Sequence, residues 1–167
     1  MWDIEQFLKN KVERRARINK EIQEFKDTRA FIFDDVDLYI KYYIHKLEQY
    51  TKKKFPLEFY SIISELYMKL NRNIQKEMNI IDETLALGII STALLIYKQS
   101  TSKKLFHKKD FYRMLGVSNS KLDTINGGEW KIFRYCERNN IIINNCYLEI
   151  IKGRRGYYEN KIVFLNQ

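Results

Sequence analysis

Residues 80–97 read IIDETLALGIISTALLIY, and from Thr84 to Tyr97 the run carries no charge. On a helix, Leu85, Leu87, Ile89, Ile90, Leu94, Leu95 and Ile96 point in every direction. A helix that is apolar on all sides must be buried on all sides. The run falls short of the roughly 20 apolar residues that cross a bilayer, so it is expected to be the central rod of an all-α domain. Asp82 is the expected N-cap, its carboxylate accepting from free first-turn amides, and Glu83 adds favourable charge there. Gly88, Ser91, Thr92 and Ala93 are small enough to let neighbouring helices come close, and Lys98 marks the exit into water.

The chain has 167 residues, which suits one domain with a single core. An apolar share of 45 %, with 12 Tyr and 10 Phe, argues against disorder. The net charge of +9 admits anionic partners, or describes a lysine-rich solvated surface. Cys136 and Cys146 have no metal-site spacing, and the charged N-terminus lacks an apolar signal region. Reduced thiols and a nuclear or cytoplasmic location are expected. There is no phosphate-binding glycine loop, no zinc-protease motif and no Cys/His ligand spacing. His45 and His107 lie far apart with no nucleophile pattern. The expectation is a protein without catalytic residues, cofactor or metal.

From the N-terminus, Asp3 to Lys26 reads as an amphipathic helix with a capping-box pair, Asp3 and Gln6. Ile4, Phe7, Leu8, Val12, Ile18, Ile22 and Phe25 form its apolar stripe, expected to dock on the domain. Arg14, Arg15, Arg17 and Lys20 face the other way. A second helix starts at Asp35 or Asp37 and runs to about Lys53, with Ile40, Tyr43, Ile44, Leu47 and Tyr50 inside. A third follows Pro56, a residue suited to a first turn, with Phe59, Ile62, Ile63, Leu66 and Leu70 inside. Asn71–Asn79 is expected as a polar connection and Ser100–Lys104 as a loop. A short helix from Lys108 to Leu115, holding Phe111, Met114 and Leu115, ends at Gly116. Ser118 caps the next helix, with Leu122, Ile125, Ile132, Phe133 and Cys136 inside. Within it, Asn126-Gly127-Gly128 predicts a kink or break, since each helix-interior glycine costs about 1 kcal/mol. Tyr147–Ile151 and Lys161–Leu165 read as two short strands joined through Gly153-Arg-Arg-Gly156.

Leu38–Thr51, LYIKYYIHKLEQYT, resembles the first helix of the Pho80-like and P/U-type cyclins, with Tyr43-Ile44-His45-Lys46-Leu47 standing where that group has Tyr-Leu-x-Arg-Ile. Ile80–Lys98 is similar to the buried third cyclin-box helix, which ends in a lysine. Leu105–Ser118 is similar to the following tyrosine-rich helix and Gly-Val-Ser turn. The resemblance covers about Asp35 to Ile143. It implies a five-helix cyclin box over residues 35–143, flanked by an N-terminal helix (1–30) and a short hairpin-like extension (144–167). It also implies a regulatory subunit that binds and activates a cyclin-dependent-type protein kinase.

In cyclins, a lysine ending the third helix and a glutamate early in the fifth clasp a helix of the kinase. Lys98 takes the lysine position. An ungapped alignment from Gly116 puts Asn126 at the glutamate position, and a three-residue insertion around Asn-Gly-Gly puts Glu129 there. Glu129 keeps the charged-then-apolar order of Glu129-Trp-Lys-Ile-Phe133. The resemblance therefore implies partner binding by Lys98, Gln99, Glu129 and Phe133. Lys98→Ala and Glu129→Ala are each expected to leave folding nearly intact, since exposed charges contribute little to stability. Gln99 replaces the usual aromatic, and Met68-Lys69 replaces an Asp-Arg pair in the second helix. The rival reading is a helix-turn-helix or winged-helix nucleic-acid-binding protein. It would place residues 110–122 as the helix-turn-helix and Arg154 and Arg155 on phosphates of a weakly bound nucleic acid. No membrane partner is expected.

Overall fold

The computed structural model describes residues 3–28, 31–114 and 119–165, with the backbone alone for 119–124. Seven helices precede a small sheet among the described residues: α1 (Ile4–Thr28), α2 (Asp35–Thr51), α3 (Leu57–Leu70), α4 (Asn73–Met78), α5 (Asp82–Thr101), α6 (Lys108–Met114) and α7 (Asn119–Arg138). Strands β1 (Ile142–Ile143), β2 (Cys146–Lys152) and β3 (Tyr158–Phe164) follow and pair antiparallel in that order. The expected Leu115, Gly116 and Ser118 positions, and the side chain of Leu122, lie outside the described residues. No helix among the described residues is long and apolar enough to cross a membrane.

The central rod is α5. It packs on α2, α3 and α7, and Ile89, Ile90, Ala93 and Ile96 have no exposed surface. Its N-cap is Ile81 and not Asp82. The Asp82 carboxylate is instead engaged by the Gln75 amide at 2.5 Å. The helix outlasts Lys98 by a turn and stops at Ser102, whose left-handed backbone lets its N–H reach the Lys98 carbonyl. Ser100 and Thr101 are thus helical, not loop.

The helices around it follow the apolar periodicity. Asp34 caps α2, its side chain accepting from the Asp37 N–H at 2.9 Å. Ile40, Tyr43, Ile44 and Leu47 are buried, but Tyr50 is exposed. Pro56 is the N-cap of α3, with all five expected inward residues buried. The polar stretch 71–79 contains a helix, α4, docked through the fully buried Ile74 and the half-buried Met78.

Helix α7 runs through Asn126-Gly127-Gly128 without a break. The glycines let two helices approach closely. A Cβ on Gly128 would stand 2.9 Å from the Thr84 carbonyl oxygen, and one on Gly88 2.9 Å from the Gly128 carbonyl carbon. Here α5 and α7 cross backbone to backbone, and the packing of that crossing outweighs glycine's poor helix propensity.

The sheet is part of the core. Ile143, Cys146, Leu148 and Ile162 are buried in the same apolar cluster as the helices, and β2 lies on α7. The β2–β3 register runs from Cys146 opposite Phe164 to Lys152 opposite Tyr158.

Helix α1 departs most from expectation. Its second half is docked through buried Ile22 and Phe25. Glu21 accepts from the Tyr42 hydroxyl at 2.6 Å and the Lys46 ammonium at 3.0 Å, and Arg15 pairs with Glu83 at 2.7 Å. The first half of the stripe stays exposed: Ile4, Phe7, Leu8 and Val12 all keep much of their surface, Val12 68 % of it. The apolar face of the helix extends past the domain beneath it.

Candidate partner-binding site

The end of α5 opens onto a groove. Lys98 and Gln99 are exposed there. A cavity of about 520 Å³ runs from Lys98 along α6. Buried Leu94 and Phe106 form its base, and Lys98, Lys104, Lys109 and Arg113 stand exposed at its edge. Asp110 is the single carboxylate among its lining residues. A shallower depression continues past Gln99 and Ser102 to Lys161 on β3. The cations face little opposing charge, so the groove suits an anionic occupant.

The other expected partner contacts lie inward. Glu129 is only 5 % exposed and Phe133 not at all. Phe133 is a core residue, so it has no surface to offer a partner, correcting that expectation. The Glu129 carboxylate is enclosed by three elements. Ser91 Oγ donates to it from α5 at 2.5 Å, Lys108 Nζ from α6 at 3.1 Å and Asn160 Nδ2 from β3 at 3.1 Å. Ser91 lies two turns before Lys98, or about 10 Å along the helix. Lys98 and Glu129 therefore belong to different levels of the molecule. Asn126, the alternative glutamate position, is exposed and accepts from the Tyr112 hydroxyl at 2.9 Å. The groove cations on α6 and the Asn160 contact had no sequence signal, since nothing local links residue 160 to residue 129.

This arrangement makes Glu129 a structural tie. Glu129→Ala would leave Ser91 and Asn160 without their acceptor and release Lys108. It is expected to cost about 1–3 kcal/mol, the penalty for stranding buried polar groups. Glu129→Gln should cost less, because its carbonyl still accepts. Urea midpoints for the two variants test this; a midpoint unchanged in Glu129→Ala would remove the tie.

The cysteines show no reactive character. Both are free and buried. Burial pushes the Cys136 thiol up to about 12 and the Cys146 thiol up to about 11, so both stay protonated at neutral pH. No group of three or more His, Cys, Asp or Glu that could hold a metal occurs among the described residues. The turn of the alternative helix-turn-helix, residues 115–118, and the side chains of 119–124 lie outside the described residues. Among known proteins, no family model matches the chain, and no curated protein or solved structure does so significantly.

Proposed function

We propose that this chain is a cyclin-like regulatory subunit that seats a helix of a cyclin-dependent-type protein kinase in the groove at the end of α5. The observation that carries the reading is the emergence of a central helix, buried from Leu85 to Tyr97 except for the half-buried Leu95, at an exposed lysine, Lys98, beside an open cationic groove. The packing of α2, α3 and α7 around α5 is compatible with it. The physical logic is direct. The C-terminal end of a docked helix carries partial negative charge, and Lys98, Lys104, Lys109 and Arg113 supply the opposite sign. Glu129 acts from beneath, holding Lys108 and α6 against α5 so that the groove keeps its shape.

The test is a titration of purified cyclin-dependent-type kinases with the parent chain and with Lys98→Glu and Lys109→Glu. Each reversal is expected to weaken binding roughly tenfold or more, because like charge at an interface costs several kcal/mol. Lys76→Glu on α4, away from the groove, serves as control and should bind like the parent. Kinase binding that is absent, or equal in all four proteins, would sink the proposal.

A further inference from the structure

The connection between β2 and β3 reads Lys152-Gly-Arg-Arg-Gly-Tyr-Tyr-Glu159. It is a short, defined tip. The Gly153 N–H donates to the Tyr157 carbonyl at 2.7 Å, and the Gly156 N–H to the Gly153 carbonyl at 3.3 Å. Arg155 sits in the left-handed region at φ 68°, a conformation that costs a residue with a Cβ and that glycine adopts freely. Folding alone would favour glycine at that position.

The aromatic and basic side chains of the tip are exposed. Tyr157 and Tyr158 are 72 % and 70 % exposed, although tyrosine rings ordinarily bury most of their area. Lys152, Arg154 and Arg155 are exposed, and none of them forms a side-chain ion pair among the described residues. One carboxylate lies nearby: Glu159 folds over Gly153, where a Cβ would meet its oxygen at 2.5 Å.

We propose that this hairpin tip is a binding site for single-stranded nucleic acid, with the cations on phosphates and the two tyrosine rings stacked on bases. Exposed aromatic faces beside unpaired cations are the pairing that unstacked bases on a phosphate backbone require. A duplex hides its base faces, so it would use the cations and leave the rings idle. An anionic membrane would also attract the cations. The tip, however, has no Leu, Ile, Phe or Trp to enter the acyl region. The site is separate from the α5 groove and does not depend on the kinase reading.

The experiment is fluorescence anisotropy of labelled single-stranded oligo(U) and oligo(dT) with the full chain. Three cations predict a log–log salt slope of roughly −2, at about −0.7 per contact. Tyr157→Ala and Tyr158→Ala should each weaken binding roughly tenfold, whereas the Phe variants, which keep the ring face, should bind like the parent. Arg155→Gly separates binding from folding, because it relieves the left-handed backbone and removes a cation. It should melt no lower than the parent, bind more weakly and show a shallower salt slope. The proposal is overturned if the Tyr→Ala variants bind like the parent, if a duplex of matched sequence binds as tightly as the single strand, or if only phosphatidylserine vesicles bind.

Discussion

Ile90→Asp is expected to leave the chain largely unfolded at 25 °C. Ile90 has no exposed surface and lies on the helix that α2, α3 and α7 surround. The variant buries an unpaired charge or a protonated acid in an apolar site. Substitutions of this kind exceed about 4 kcal/mol, against a total stability of about 5–15 kcal/mol for a domain. Ile90→Val removes one methylene and should cost only about 0.5–1.5 kcal/mol. Far-UV circular dichroism with thermal melting reads both. A cooperative Ile90→Asp melt at the parent temperature would contradict the central-rod assignment.

The second large effect separates two adjacent glycines. Gly128→Val would drive its Cβ against the Thr84 carbonyl oxygen, a backbone atom that cannot rotate away. Either α5 and α7 separate or the helix backbone distorts, at a cost of about 1–3 kcal/mol or more. Even Gly128→Ala should destabilise, despite alanine's better helix propensity. Gly127 faces open space: a methyl there would meet nothing within 4 Å. Gly127→Ala should therefore stabilise by up to about 1 kcal/mol, the ordinary helix-interior gain. Denaturant midpoints of opposite sign are the expected result. Equal shifts for Gly127→Ala and Gly128→Ala would show that propensity, and not the crossing, governs both sites.

The Asn-Gly-Gly stretch also shows where sequence reasoning stops. Propensity treats each glycine by its local cost, and on that basis a break is the natural expectation. The benefit that reverses it arises 40 residues earlier, at Gly88 and Thr84, and exists only once α5 and α7 have met. Helix α1 teaches the converse. Periodicity shows that residues 4–25 share an apolar face, but it holds no information on how far the domain beneath extends. Ile22 and Phe25 find it, and Val12 does not.

The sequence alone determined the identity of the core helix, because an uncharged run that is apolar in every direction has only one stable environment, whatever surrounds it. It also determined the inward face of α3 and, apart from the exposed Tyr50, the expected inward residues of α2, where a 3.6-residue period is a local property, and the existence of the two longer terminal strands. Only the tertiary structure decided the fate of individual polar groups. Glu129 was legible as a charged residue ahead of an apolar pair. Its burial depends on Ser91, Lys108 and Asn160 arriving from three separate elements. A carboxylate's cost in the interior is set by its hydrogen-bond partners. Those partners are assembled by the fold, so no window of sequence around residue 129 contains them.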